Sequence, residues 1–135
     1  MSRSNRHAAC SMLLALAAAL AGCAPAVRSV PTQLIAAEQA ASKPSDLRFT
    51  APLQLRLETG YSRLIPADSR WAPAGRLNEG LVYRPVDLVF SIEGQQVHEA
   101  WLVVRNSTLQ GFYLPAEARY SSLTPPVPLP KGTQP

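Results

Sequence analysis

Few side chains in this sequence could do chemistry, and their spacing limits what that chemistry is. Cysteine stands at 10 and 23, and histidine at 7 and 98. A thiolate is a strong nucleophile, and Cys23 follows the small residues Ala21 and Gly22, which leave it accessible. His98 is the one histidine outside the N-terminal segment, which excludes a site built from several histidines and a two-histidine relay in the rest of the chain. Ser91, His98 and Asp87 have the residue types of a nucleophilic triad. In a hairpin turning at Gly94-Gln95, Ser91 faces His98. Asp87 lies four residues from Ser91, and a strand advances about 3.3 Å per residue, so Asp87 is out of reach. Glu99 falls among apolar neighbours in the same register. A carboxylate buried there needs a partner: a ligand or a proton-transfer role on the functional side, an arginine on the structural side. In Gly111-Phe112-Tyr113-Leu114-Pro115, adjacent aromatics point to opposite faces of a strand. If the sheet is one-sided, an outward aromatic such as Tyr113, beside Glu117 and Arg119, forms a contact for a protein partner. If both faces are covered, it does not.

The N-terminus reads MSRSNRHAACSMLLALAAALAGC. Arg3 and Arg6 precede an apolar run from Ala8 to Leu20, broken only by Ser11. The run is short of the ~20 residues that span a bilayer and has the length of a signal-peptide core. Leu20-Ala21-Gly22-Cys23 then resembles the lipobox of bacterial lipoproteins. The resemblance covers these first residues alone. It implies that residues 1–22 are a signal peptide removed on export, and that a diacylglyceryl group is joined to the Cys23 thiol, often with a further acyl chain on the new amine. Each buried CH₂ adds about 0.8 kcal/mol of membrane affinity, so two or three chains such as palmitate anchor a small protein. Cys10 leaves with the signal peptide. The remaining cysteine is capped, so no disulfide, redox thiol or cysteine-bound metal is expected in an oxidising compartment, and no cofactor is expected. In the same family an Asp after the cysteine favours retention in the inner membrane. Ala24 stands there instead, which implies delivery to the outer membrane, facing the periplasm.

Composition fits a small exported domain. Of 135 residues, 47% are hydrophobic and 16% charged, too apolar for a disordered acidic or polybasic chain. Without Arg3 and Arg6 the net charge falls from +4 to +2, too little for a nucleic-acid surface. All nine aromatic residues lie between Phe49 and Tyr120, which marks residues 47–123 as the folded domain. Residues 23–46 are rich in Ala, Ser, Gln and Pro and predict a flexible tether behind the lipidated cysteine. Residues 124–135 hold five prolines and predict an extended tail, read as a spacer or an arm lying along the domain, with a docking peptide for a partner as the alternative.

Within the domain, Leu47 to Glu58 alternates apolar and polar, the signature of a half-buried strand, and Pro52 places it at an edge or splits it. Ala67 to Arg76 reads as a loop with Trp71 pinned on the core. Leu81-Val82-Tyr83 and Leu109 to Leu114 read as strands, with Arg105 to Thr108 as the turn before the second. Val86 to Val104 reads as one hairpin with Gly94-Gln95 in a type II′ turn, which pairs Ile92 with Val97 and Phe90 with Glu99. A short helical turn fits around Ala116 to Tyr120. The expected fold is mainly β: a small antiparallel sheet or partly open β-barrel of five to six short strands.

The function that follows is a lipid-anchored envelope protein, bound to the membrane through Cys23. Its β-domain would act without catalysis, as a binding or accessory component of an envelope assembly of secretion or pilus type, with an envelope protein as partner. A periplasmic inhibitor or ligand-binding lipoprotein is the alternative. A small cell-wall hydrolase using Glu99 or His98 is a third reading. Glu99, Tyr113 and Arg119 are the candidate contact residues.

Overall fold

The computed structural model describes residues 22–39 and 44–133. The segment expected to be a signal peptide, Gly22 apart, lies outside the described residues. The structure is mainly β, with a curled antiparallel sheet forming a half-barrel and two smaller sheets beside it. In chain order the strands are β1 (Val30–Pro31), β2 (Ile35–Ala36), β3 (Leu47–Arg48), β4 (Leu53–Arg56), β5 (Ser62–Ile65), β6 (Arg70–Leu77), β7 (Gly80–Val86), β8 (Ser91–Glu93), β9 (Val97–Glu99), β10 (Trp101–Arg105), β11 (Thr108–Leu114) and β12 (Arg119–Pro128). A 3₁₀ turn, Ala37–Gln39, follows β2. The main sheet runs β1-β12-β11-β10-β7-β6-β2, with β3 also on β6; β4–β5 and β8–β9 are separate hairpins. Twelve strands among the described residues exceed the expected five or six, because the expected elements break and the flanking segments join the sheet.

The alternation from Leu47 holds: Leu47, Phe49, Leu55 and Leu57 are buried and Arg48, Thr50, Gln54 and Arg56 exposed. Pro52 splits the segment, so Leu47–Arg48 pairs with β6 while Leu53–Arg56 forms its own hairpin with β5. Phe49, Trp71, Phe90 and Phe112 make a row of rings, with centroids 6.3, 5.4 and 6.0 Å apart in that order. Leu102, Leu109 and Leu114 from the sheet and Leu55, Ile65 and Ile92 from the hairpins complete this core. The opposite face of the sheet is also apolar. Leu77, Val82, Val103, Tyr113 and Tyr120 form a second cluster there. Adjacent residues of β10 therefore serve opposite cores, which explains its unbroken apolar run.

Two breaker residues misled the reading of β6. Residues 70–77 form an eight-residue strand rather than a loop, and the register with β7 shifts between Pro73 and Gly75. This bulge exchanges the faces, so Trp71 enters the first core and Leu77 the second. The expected helical turn at Ala116–Tyr120 is instead a tight turn into β12, with Ala118 at φ 52°.

The segment expected to be a tether is docked. β1 pairs with Tyr120 and Arg119 at one edge of the sheet, and β2 pairs with Arg76 and Gly75 at the other. Six strand spacings of about 4.8 Å would set β1 and β2 ~29 Å apart in a flat sheet. Only Thr32, Gln33 and Leu34 lie between them, and four residue steps reach at most ~14 Å. The sheet must curl to bring its edges together. The strap crosses the concave side, and Leu34 packs on the second cluster. The proline-rich tail is the arm along the domain. Pro128 and Val127 pair with Thr108 and Leu109, Leu129 is buried, and the Thr50 hydroxyl donates to the Lys131 carbonyl at 2.8 Å. The folded unit thus extends beyond 47–123 at both ends.

Trp71 has contacts on both sides in the ring row. Trp71→Ala is expected to cost about 3–5 kcal/mol out of the ~5–15 typical of a domain. A urea midpoint lowered by about 1 M or more, followed by circular dichroism, checks this; an unmoved midpoint contradicts the packing.

Candidate functional site

Cys23 is exposed and its thiol is free. Two residues later the chain is already fixed. The Gln95 backbone N–H donates to the Pro25 carbonyl at 3.2 Å. A Cβ on Gly94 would stand 2.6 Å from that oxygen, so glycine is needed there for the close passage of the strap. Val27 packs against the first core over a small cavity of about 250 Å³, whose walls include Leu57, Ile92, Phe112 and Leu123. Arg119 then clamps the strap: Nε donates to Ser29 Oγ at 2.8 Å and a terminal nitrogen to the Ser29 carbonyl at 2.5 Å. The Thr32 N–H donates to the Ala118 carbonyl at 3.1 Å. Proline at 25 and 31 suits such an extended, edge-lying segment.

The three candidate contact residues fare differently from expectation. Arg119 is half-buried and engaged by Ser29, so its donors are turned into the fold. Tyr113 is buried in the second cluster, 5.8 Å from the Trp101 ring, because both faces of the sheet are covered. Glu99 is exposed, and the Trp101 indole N–H donates to its Oε1 at 3.1 Å. Its expected burial depended on a two-residue turn. The turn has three residues, Gly94 to Gln96, so Glu93 pairs with Val97, Ile92 with His98 and Ser91 with Glu99. A slip of one residue turns every side chain of β9 to the other face. Val97 therefore faces solvent rather than core. The long hairpin also divides at Ala100, where β9 ends and β10 joins the main sheet.

The triad residues are not brought together. His98 Nδ1 lies 2.7 Å from Glu117 Oε1, Ser91 Oγ accepts from Arg63 at 3.4 Å, and Asp87 is exposed beside Arg70. Arg63, one of eight arginines spread along residues 47–123, has a structural role that its spacing does not signal. It bonds Glu93 Oε1 at 3.2 Å and lies over the Phe90 ring at 5.5 Å, tying β5 to β8. Among the described residues no three His, Cys, Asp or Glu side chains gather where they could hold a metal.

A second feature lies at the other end of β11. His98 meets Glu117 beyond Leu114, whereas an open groove of about 580 Å³ borders the β6–β7 and β10–β11 turns. Its apolar walls include Ile35, Leu47, Leu81, Tyr83, Val104 and Leu129, and Arg76 and Arg105 stand at its rim with no acidic residue in the lining. Arg105 also donates to the Asn78 carbonyl. Burial raises the pKa of Tyr83 above its ordinary 10.0. Burial also raises that of Tyr120, aided by the charge of Glu79 and opposed by Arg105.

Comparison with known proteins found no family model that matches the chain, no similar curated protein and no similar solved structure.

Two outcomes follow from these contacts. Arg119→Met removes charged hydrogen bonds worth about 1–3 kcal/mol in total and loosens the strap. Trypsin is then expected to cut after Arg28 several-fold faster than in the parent, read by mass spectrometry; an unchanged rate contradicts the clamp. The phenols of Tyr83 and Tyr120 stay protonated in the folded state above pH 10 while the unfolded chain ionises. Their contribution to stability is full below pH 10 and is lost as pH rises through their folded values. The thermal midpoint should fall above pH 10, and phenolate absorbance from these two rings should appear together with the loss of structure.

Proposed function

We infer that this chain is a lipid-anchored protein of the bacterial envelope, held by acyl chains on Cys23 and acting as a non-enzymatic binding or accessory component of an envelope assembly. The observation that carries the reading is Leu20-Ala21-Gly22-Cys23 behind a basic start and an apolar run. The exposure of Cys23 at the root of the strap supports it, since a modifying enzyme needs the thiol within reach. Ala24 after the cysteine favours the outer membrane, with the domain in the periplasm. The side chains best suited to catalysis are engaged structurally: His98 with Glu117, Ser91 with Arg63, Glu99 with Trp101. That engagement favours a binding role over a hydrolase.

The groove supports the alternative of a ligand-binding lipoprotein. Apolar walls between two arginines suit a molecule with an apolar body and an anionic end.

Growth on labelled palmitate should label the protein. Cys23→Ser should abolish the label, leave the precursor at its full size and release the product from outer-membrane fractions. Labelling that survives Cys23→Ser would falsify the anchor. Under the accessory-component reading, purification of the lipidated protein at native expression yields one stoichiometric envelope protein. Under the ligand-binding reading it yields a small amphiphile that Arg76→Glu releases.

A further inference from the structure

We propose that the folded body sits directly on the lipid surface, with the β4–β5 and β8–β9 turns against the headgroups. The proposal rests on the lipidation of Cys23 inferred above. A connection of the length first expected, 23 residues of flexible chain, would place the body roughly 25–30 Å from its anchor on average. The docked strap removes that freedom. From Cys23 to Pro25 there are two residue steps, at most ~7 Å of chain. The headgroup layer of one leaflet is about 5–7 Å thick. Acyl chains on Cys23 begin at the inner boundary of that layer, so Pro25 can rise no further than its outer boundary. Pro25 is itself hydrogen-bonded to Gln95 in the β8–β9 turn. The Thr59 hydroxyl donates to the Glu93 carbonyl at 2.5 Å, which fixes the β4–β5 turn beside it. Whatever membrane holds Cys23 therefore meets both turns.

The side chains flanking these turns suit that position. Val97, next to the β8–β9 turn, is 68% exposed, and Tyr61, next to the β4–β5 turn, is 41% exposed. An apolar residue that gains nothing from the protein core can be covered by lipid, and tyrosine favours the boundary between apolar and wet regions. The charged groups of this end are Arg28 and Arg56, both exposed, Glu58, exposed, and the Arg63–Glu93 pair. Exposed Glu99 on β9 brings the unpaired balance to zero, so the seat rests on the short reach from Cys23 and on Val97 and Tyr61. The groove by the β10–β11 turn shares no lining residue with the cavity beside Pro25 and Thr59.

The test uses the full chain, expressed with its signal peptide and purified lipidated. Acylation of Cys23 leaves no other thiol after loss of Cys10, so one introduced cysteine is a unique labelling point. Gln96→Cys lies in the β8–β9 turn, and Asn106→Cys in the β10–β11 turn, on the groove lining, serves as the reference. Each carries an environment-sensitive fluorophore and is reconstituted in phosphatidylethanolamine and phosphatidylglycerol vesicles containing a nitroxide on the headgroup. Quenching at position 96 at least three-fold stronger than at 106 is expected. Protein that floats with the vesicles but is quenched equally at both positions overturns the seat and leaves the anchor standing. Protein that does not float overturns the anchor, and the seat with it.

Discussion

Three residues set the shape of this molecule. Thr32, Gln33 and Leu34 join a strand on one edge of the sheet to a strand on the opposite edge, and a link that short cannot cross a flat sheet of this width. Curvature and the position of Leu34 on the concave cluster follow from it. The interactions that hold the link are modest one by one: two short pairings, an arginine clamp and the burial of Leu34 and Val27. Together they convert the first residues after Cys23 from a leash into part of the fold.

The two cores divide the work of stability. The aromatic row lies under the two small hairpins and contains the large rings Trp71, Phe90 and Phe112. The concave cluster is smaller and relies on the strap for cover. A chain of this length buries a limited area. Using both faces of one sheet raises that area without additional layers, and the cost is that a central strand such as β10 must be apolar at successive positions, Leu102, Val103 and Val104.

Much of this was legible in the sequence. The alternation of Leu47, Phe49, Leu55 and Leu57, the break at Pro52 and the mainly β class follow from local pattern, and local pattern survives folding. What failed was decided by distant contacts. Pro73 and Gly75 look like loop residues until β7 is seen to accommodate them as a bulge. Gly94 is a turn glycine as read, but the carbonyl of Pro25, distant in sequence, also passes close against it. The turn runs over three residues rather than two, which moves Val97 outward and exposes Glu99. The strap had no period to read, because Val27, Leu34 and Ile35 each meet a different surface. Arg119 was visible as a cation at a candidate contact, but only the fold reveals that its partner is Ser29.

Rolled sheets that stop short of closure leave two rims of unsatisfied amides, and such rims recruit strands from neighbouring molecules. Here a stretch of seven residues, Val30 to Ala36, caps part of both rims at once. Proteins held in one leaflet, as the proposed lipid on Cys23 would hold this one, meet each other at high local density and in a shared orientation, the conditions under which strand addition spreads. A built-in plug on each rim would keep such a crowd from polymerising.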